Sequence, residues 1–136
     1  MIAKIDSLGA GLSLWYRRVE PHQSRSAMIT KKILVPNRVR KINGGFSFIP
    51  HRFLLDGFLE HLSQPELLLY LFLVLAADHR GLSYYSYERI CSLLHLRLEQ
   101  YIAARDGLIN KELIAFDGTL FQVLELPAVP ISCERR

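Results

Sequence analysis

Residues 86–110 read SYERICSLLHLRLEQYIAARDGLIN, and this stretch decides the fold because it predicts two helices joined by a very short turn. Ser86 can cap the first helix, Tyr87–Leu94, in which apolar residues recur at helical spacing. The turn His95-Leu96-Arg97 leads directly into a second helix, Leu98–Asn110. Helices separated by only three residues must cross over a shared core, so the stretch predicts a tightly packed helical pair.

The flanking segments predict further helices before this pair and a β-hairpin after it. Residues 50–62 carry apolar side chains at helical spacing, and Ser63 with Glu66 is typical of a helix start. The helix predicted over 64–78 is apolar on nearly every side, so it must be covered all round, by its own domain or in a dimer. We expect Gly81 to end it in a left-handed conformation. Residues 113–124, LIAFDGTLFQVL, predict a two-stranded hairpin that residues 82–85 could join as a short strand.

We therefore expect a mainly α domain with a small β-hairpin, in the α+β class, preceded by a basic, partly β extension. The predicted boundaries are a flexible leader (1–28), a basic β-rich arm (29–45), the helical domain (46–126) and a C-terminal tail (127–136). Within the arm, residues 29–35 and 38–42 predict short strands. Two prolines keep the tail from forming a helix, so it lies extended along a second subunit or across its own domain.

The charge is concentrated in the N-terminal third of the chain. Residues 1–45 hold nine Lys and Arg against two Asp and Glu, a net charge of +7, whereas residues 46–136 hold eight against eleven, a net charge of −3. A basic arm on a mildly acidic domain is a common arrangement for holding phosphates. The alternative is a solvated tail whose charge only aids solubility.

From the segment 46–50, FSFIP, through the helical pair to the hairpin, the chain resembles the bacterial winged helix-turn-helix superfamily. It is most similar to the DNA-binding domains of mobile-element regulators and of plasmid or phage replication initiators. The passage 108–114, LINKELI, resembles the family's L-x-x-x-G-L-I transition from recognition helix to wing, with Glu112 in place of the usual glycine. The resemblance implies a protein that binds double-stranded DNA, with the third helix of the domain, Leu98–Asn110, as its recognition helix.

Helix geometry indicates which side chains would touch the DNA. If Tyr101, Arg105 (by its stem) and Leu108 lie inward, the outward face holds four residues with Arg97 at its start; the four are Glu99, Gln100, Ala103 and Ala104. Arg97 suits guanine or a phosphate, and Gln100 suits adenine. Glu99 could accept from a cytosine amino group, and the two alanines allow close approach to a thymine methyl. An ordinary solvated helix face is the alternative for this set.

Two further groups are candidate phosphate ligands. The first is a tyrosine cluster near the start of the helix Tyr87–Leu94, consisting of Tyr84, Tyr85 and Tyr87. The alternative for two of the three is packing under the wing. The second is the set of arm cations, Lys31, Lys32, Arg38, Arg40 and Lys41. The wing tip, Asp117-Gly118-Thr119, carries an acid and no cation, so the arm is expected to supply much of the electrostatic affinity.

Several other classes of protein find no support in the sequence. The longest apolar run, residues 67–77, is shorter than the roughly 20 residues that span a bilayer, so we expect no membrane association. Only Cys91 and Cys133 are present, which predicts no disulfide framework and a cytoplasmic location. Histidines and acids are scattered and no nucleotide-binding or hydrolase motif occurs, so we expect no enzyme, no cofactor and no metal.

Two functions remain as hypotheses. The first is a DNA-binding regulator of transcription or replication on a mobile or accessory genetic element, with a homodimer as one form it could take. The second is a winged-helix protein–protein interaction module, an adaptor subunit in a larger nucleoprotein assembly. The acidic wing tip and the helix that is apolar all round favour the second hypothesis.

Overall fold

The computed structural model describes residues 29–131 of the chain, and the residues divide into two units, Met1–Lys41 and Ile42–Arg136. Expectations for the leader (1–28) and for the end of the tail (132–136) lie outside the described residues. Each unit is described by itself.

In the first unit the described segment, residues 29–41, contains a single 3-10 turn, Pro36–Arg38, closed by a hydrogen bond of 3.0 Å from the Arg38 N–H to the Val35 carbonyl. No residue between 29 and 45 belongs to a strand, and all of them are exposed. The prediction of strands over 29–35 and 38–42 is therefore wrong. β-rich composition favours a strand only where a neighbouring strand supplies hydrogen bonds, and no strand pairing within residues 29–131 includes this segment.

The described part of the second unit is α+β, with four α-helices and one antiparallel sheet of three strands. The helices are α1 (Arg52–Leu55), α2 (Gln64–Ala76), α3 (Tyr87–Leu94) and α4 (Leu98–Asn110), and the strands are β1 (Leu82–Ser83), β2 (Ile114–Phe116) and β3 (Phe121–Val123). The strand order is β1-β3-β2, so β3 of the hairpin pairs with both other strands. The α+β expectation is confirmed, and the order of elements is compatible with helices followed by a hairpin wing.

The helix predicted over 50–62 is broken into α1 and a separate 3-10 turn, Leu59–His61. Gly57 lies between them with φ +91°, a conformation that continues no right-handed helix. Phe53 and Phe58, two of the apolar residues at that spacing, are both buried, and their rings stack with centroids 6.4 Å apart. Leu54 and Leu55 at the same spacing are 65% and 76% exposed, so helical spacing identified only part of the buried set.

Helix α2 begins with the capping box that the sequence predicts. The Glu66 N–H donates to Ser63 Oγ (3.3 Å), and the Ser63 N–H donates to Glu66 Oε1 (2.9 Å), so two backbone donors at the helix start are satisfied. The helix ends at Ala76, two residues earlier than expected. Gly81 is left-handed (φ +87°) but follows the helix in a turn, so its predicted role as terminator is wrong. The Gly81 backbone instead lies close against β3. A Cβ at this position would sit 2.6 Å from the Val123 carbonyl oxygen, so there is no room for a side chain.

One face of α2 is not covered in the described structure. Leu69 and Leu73 are fully buried in the core, but Leu68, Leu71 and Leu75, on the opposite face, are 42%, 39% and 73% exposed. Of the two ways expected to cover this helix, complete cover by its own domain is therefore not found among residues 29–131, since the sheet and the other helices pack on one side only. We call these three leucines the α2 stripe.

The helical pair matches the prediction at both ends of both helices. Ser86 Oγ accepts from the Arg89 N–H (3.2 Å) at the start of α3. The helix ends at His95, which is left-handed (φ 58°), and the Leu96 N–H donates back to the Cys91 carbonyl (3.0 Å), a tight helix-ending bond that turns the chain toward α4. Ile90 of α3 is fully buried, but Leu93, at 48% exposure, does not face the core.

The end of α4 uses the same kind of left-handed residue, at Glu112. Glu112 adopts φ +60°, and the Leu113 N–H donates to the Leu108 carbonyl (3.0 Å). The backbone thus takes the left-handed conformation that a glycine would take at lower cost. Leu113 and Ile114 follow at once into the core, and the wing turns through Gly118 and Thr119.

Helices α2 and α4 cross at close range because α4 presents small residues to α2. Ala104 is 1% exposed, and a Cβ on Gly107 would overlap Glu66 Oε2. The Glu66 carboxylate therefore lies directly against the α4 backbone, where it accepts a hydrogen bond of 2.7 Å from Lys111 Nζ. The orientation of α4 relative to α2 depends on this contact.

The tail lies across its own domain as far as the described residues go. Arg52 of α1 donates to the carbonyls of Pro127 (2.7 Å) and Ala128 (3.0 Å), and Leu126 is buried in the core. Of the two positions expected for the tail, the structure shows the intramolecular one.

Candidate nucleic-acid interface

The start of α4 brings together three of the residues predicted to contact DNA. Arg97 precedes the helix, and its Nε lies 3.1 Å from Glu99 Oε2, with both side chains more than 70% exposed. Gln100 Oε1 accepts from the Arg97 N–H (2.9 Å), which fixes the backbone at the entry to the helix. Arg97 is therefore a solvent-facing cation whose position is set by Gln100 and whose charge is offset by Glu99.

Gln100 is less free than the sequence suggested. It is half-buried and its side-chain oxygen is already engaged by the Arg97 backbone. A two-point contact to adenine uses both the oxygen and the nitrogen of an amide side chain, so that contact would require the helix cap to open. In the structure as it stands Gln100 is a capping residue.

The two predicted alanines separate. Ala103 is exposed, whereas Ala104 is buried in the core, so the prediction that Ala104 faces DNA is wrong. Ala104 lies three residues after Tyr101 and four before Leu108, on the same buried face. The exposed face of α4 instead includes two residues that were missed, Ile102 and Asp106. The helical spacing of the buried residues Tyr101 and Leu108 could have placed Ile102 and Asp106 on the exposed face.

Arg105 is held against the domain. Its guanidinium carbon lies 5.7 Å from the ring centroid of Tyr101 and 5.5 Å from that of Phe116, and its Nη2 lies 3.1 Å from Asp106 Oδ1. Burial raises the pKa of the Tyr101 hydroxyl, and the Arg105 charge acts in the opposite direction. Since Arg97 and Arg105 each have a carboxylate within 3.1 Å, α4 presents little net positive charge to a phosphate backbone.

The tyrosine cluster divides between packing and exposure. The Tyr85 ring meets Phe72 of α2 edge-on, with centroids 5.0 Å apart, and the Tyr87 ring lies 6.4 Å from that of Tyr101. Tyr84 is 69% exposed. Two of the three therefore contribute to packing, while all three remain at the surface around the start of α3.

The wing tip offers no cation. The Asp117 carboxylate accepts from the N–H groups of Leu120 (2.7 Å) and Thr119 (2.8 Å), and these backbone hydrogen bonds lower its pKa. The acid thus shapes the turn and stays charged, which makes the tip a poor surface for phosphate.

The five predicted cations of the arm are all exposed, and all lie in the first unit. They are Lys31, Lys32, Arg38, Arg40 and Lys41. None of them has a carboxylate within salt-bridge distance among residues 29–131, in contrast to the two arginines of α4. The unneutralised positive charge of the described chain is therefore concentrated in this segment.

A further exposed cation, Arg89 of α3, was not selected from the sequence. Ser86 as cap and Ile90 as a buried residue set the phase of α3, and that phase could have placed Arg89 at the surface. Cys91 on the same helix is half-buried, and burial raises the pKa of its thiol. It is therefore a packing residue.

Within residues 29–131 no group of three or more His, Cys, Asp or Glu is arranged to hold a metal ion. None of the helices in that range combines the length and the apolar character needed to cross a bilayer. No protein-family model, no curated protein and no solved structure matches this chain.

Proposed function

We propose that residues 46–126 form a winged helix-turn-helix that binds double-stranded DNA. The observation that supports this most directly is the order α2-β1-α3-α4-β2-β3 together with the sheet order β1-β3-β2. In such an arrangement one helix of the pair packs on the core while its outer face stays open to a groove. The role that follows from the resemblance is control of transcription or replication on a mobile or accessory element.

The charges suggest a division of labour between the two units. The arm has five cations, none of which has a carboxylate within salt-bridge distance among residues 29–131, and it would neutralise phosphates. Each neutralised phosphate contributes a salt-dependence slope of about −0.9. Helix α4 would contribute contacts to base edges, with Arg97 as its principal donor.

A titration with random-sequence duplex DNA tests the binding itself. Fluorescence anisotropy at increasing salt should show steep weakening in the full chain. A variant with Lys31 and Lys32 replaced by Ala should show a slope smaller by about 2. Absence of binding even at low salt would overturn the proposal.

A second experiment tests Arg97. After selection of a preferred sequence from a random duplex pool, Arg97→Ala should lose preference for that sequence over random duplex, by about 1–3 kcal/mol for a base contact. The matched control is Arg80→Ala, which removes one exposed positive charge from the loop before β1 and should leave the preference unchanged. Equal preference in wild type and Arg97→Ala would refute the assignment of Arg97.

The α2 stripe favours a second candidate function, an adaptor that docks a protein partner through Leu68, Leu71 and Leu75. An exposed row of leucines gains free energy when a partner covers it, and such a complex would be insensitive to salt. Leu71→Glu should abolish complexes captured from the host. Leu120→Glu, at a leucine of similar exposure in the wing turn, should not. Complexes that survive Leu71→Glu would exclude this face as the docking site.

A further inference from the structure

The basic arm has a different backbone conformation from a basic helix. Residues 29–41 form a single chain with neither an α-helix nor a paired strand, and all thirteen are exposed. The segment carries large aliphatic side chains as well as cations, and the aliphatic residues that are more than half exposed are Ile29, Ile33, Leu34, Val35 and Val39. A thin, basic and partly apolar chain fits a different surface from the one that suits a helix.

Two arginines of the arm lie close together in sequence. The 3-10 turn Pro36–Arg38 ends at Val39, whose backbone is extended (φ −66°, ψ 127°). Arg38 closes the turn and Arg40 follows Val39, so the two arginines of residues 29–41 flank one extended residue, and both are exposed.

These features fit the DNA minor groove better than they fit an exposed phosphate backbone. The minor groove is about 6 Å wide and admits a single chain, whereas an α-helix with its side chains is about 10–12 Å across. Narrow grooves in A·T-rich DNA concentrate negative potential, which attracts arginine. Their walls are deoxyribose, and minor-groove proteins commonly place aliphatic side chains there or between base steps. Phosphates alone would leave the aliphatic side chains in water.

Two other surfaces fit less well. Single-stranded nucleic acid is bound mainly by stacking on aromatic rings, and residues 29–41 contain none. Anionic bilayers attract cations with aliphatic residues, but the segments that lie in the bilayer interface are typically amphipathic helices, and this one is not helical.

We propose that the arm binds in the minor groove of A·T-rich duplex DNA, with Arg38 and Arg40 directed at the groove floor and Lys31, Lys32 and Lys41 at flanking phosphates. This inference rests on the proposed duplex binding and adds to it a preference that is independent of α4. The two arginines are the specificity-determining residues of the arm, and the lysines supply affinity without preference.

The test changes the minor groove while leaving the major groove intact. Two duplexes of equal length and sequence are compared, one with G·C pairs and one in which every guanine is replaced by inosine. Inosine lacks the amino group that G·C presents in the minor groove but keeps the guanine pattern in the major groove, so α4 meets the same donors and acceptors in both. The full chain should bind the inosine duplex at least about fivefold more tightly, the lower end for a base-edge contact.

Matched variants separate shape recognition from charge. Arg38→Lys with Arg40→Lys keeps the net charge and should remove the preference for inosine with an unchanged salt slope, because lysine is more strongly hydrated and enters narrow grooves less well. Lys31→Ala with Lys32→Ala should weaken binding to both duplexes about equally and retain the preference.

Each outcome has one meaning. Equal affinity for the two duplexes would overturn the minor-groove assignment while leaving duplex binding in place. The assignment would also be overturned if Lys31→Ala with Lys32→Ala lost the preference while Arg38→Lys with Arg40→Lys retained it. If the chain binds neither duplex at low salt, the proposed function itself fails. Binding to vesicles of anionic phospholipid in that case would assign the arm to a membrane surface.

Discussion

Lys111 Nζ donates a hydrogen bond of 2.7 Å to Glu66 Oε1, and this ion pair joins the residue after α4 to the first turn of α2. Both side chains are less than 15% exposed. Lys111 also donates to the His61 carbonyl (2.8 Å), and Glu66 also accepts from the Ser63 backbone, so each partner is held by two contacts. The end of the candidate recognition helix is therefore fixed to the core by charged groups.

Breaking this pair should be costly. Lys111→Met removes the cation and leaves the Glu66 carboxylate buried without its partner, so we expect a loss of about 3 kcal/mol in the free energy of unfolding. Arg97→Met is the control, because it breaks an ion pair with an N–O distance of 3.1 Å whose members are both more than 70% exposed, and it should cost less than about 1 kcal/mol. Urea unfolding measures both. Similar losses in the two variants would contradict the structural role of Lys111.

Gly107 should not tolerate a side chain. Gly107→Ala improves helix propensity by about 1 kcal/mol, but its Cβ would overlap the Glu66 carboxylate, so we expect net destabilisation. In a Glu66→Ala background the obstacle is gone, and the same substitution should then stabilise. Thermal unfolding of the wild type, the two single variants and the double variant measures this change of sign. A destabilising effect of equal size in both backgrounds would show that another contact is responsible.

Glu112→Gly should stabilise the domain. Glu112 adopts φ +60°, where a Cβ is unfavourable and glycine is not, so we expect a gain of about 0.5–1 kcal/mol. Glu112→Ala removes the same charge but keeps the Cβ, and it should give no such gain. Chemical denaturation distinguishes the two. Equal gains would assign the effect to the lost charge.

The stability of the domain should fall in acid partly through two aspartates. Hydrogen bonds from the Leu82 and Arg80 N–H groups lower the pKa of Asp78, as those from Leu120 and Thr119 lower that of Asp117. The unfolded chain then binds more protons than the native one below about pH 4, so this stability is complete above that pH and is lost as the pH falls through the native pKa values. Asp78→Asn with Asp117→Asn should flatten the dependence of the urea midpoint on pH below about 4. An unchanged acid dependence would contradict this assignment.

Glu99 should weaken DNA binding in the wild-type chain. Glu99→Gln removes the carboxylate beside Arg97, leaving the guanidinium free for a phosphate or base, so affinity for duplex DNA should rise by up to about 1 kcal/mol. Glu125→Gln makes the same charge change at an exposed position after β3 and serves as the control. Equal effects of the two in anisotropy titrations would reduce the Glu99 effect to net charge.

The helical pair could be predicted from sequence because its ends carry local signals. Ser86 caps α3, and the short turn leaves the chain few ways to connect the two helices. The capping box at Ser63 and Glu66 identified the start of α2 for the same reason. Each of these signals lies within four residues of the boundary it marks, so no tertiary information is needed.

The remaining features depend on contacts distant in sequence. The burial of Ala104 follows from the α2–α4 crossing, which depends on Gly107 and on a carboxylate of another helix. The arm has the composition of a strand, but pairing requires a partner that no local pattern reveals. The sequence did not reveal that Gln100 caps α4, because its position three residues after Arg97 also fits a residue on the exposed face of the helix. The sequence therefore predicted the helices that carry the candidate interface, but it misplaced Ala104 and did not reveal the capping role of Gln100.

The contact among Glu66, Gly107 and Lys111 also has an evolutionary consequence. A Cβ at position 107 would overlap the Glu66 carboxylate, and Lys111 forms its ion pair with that same acid. Homologous chains should therefore retain or replace the three residues together, with alanine or serine at 107 wherever an apolar residue stands at 66. That covariation would distinguish homologues of this chain from unrelated domains with the same arrangement of helices and strands.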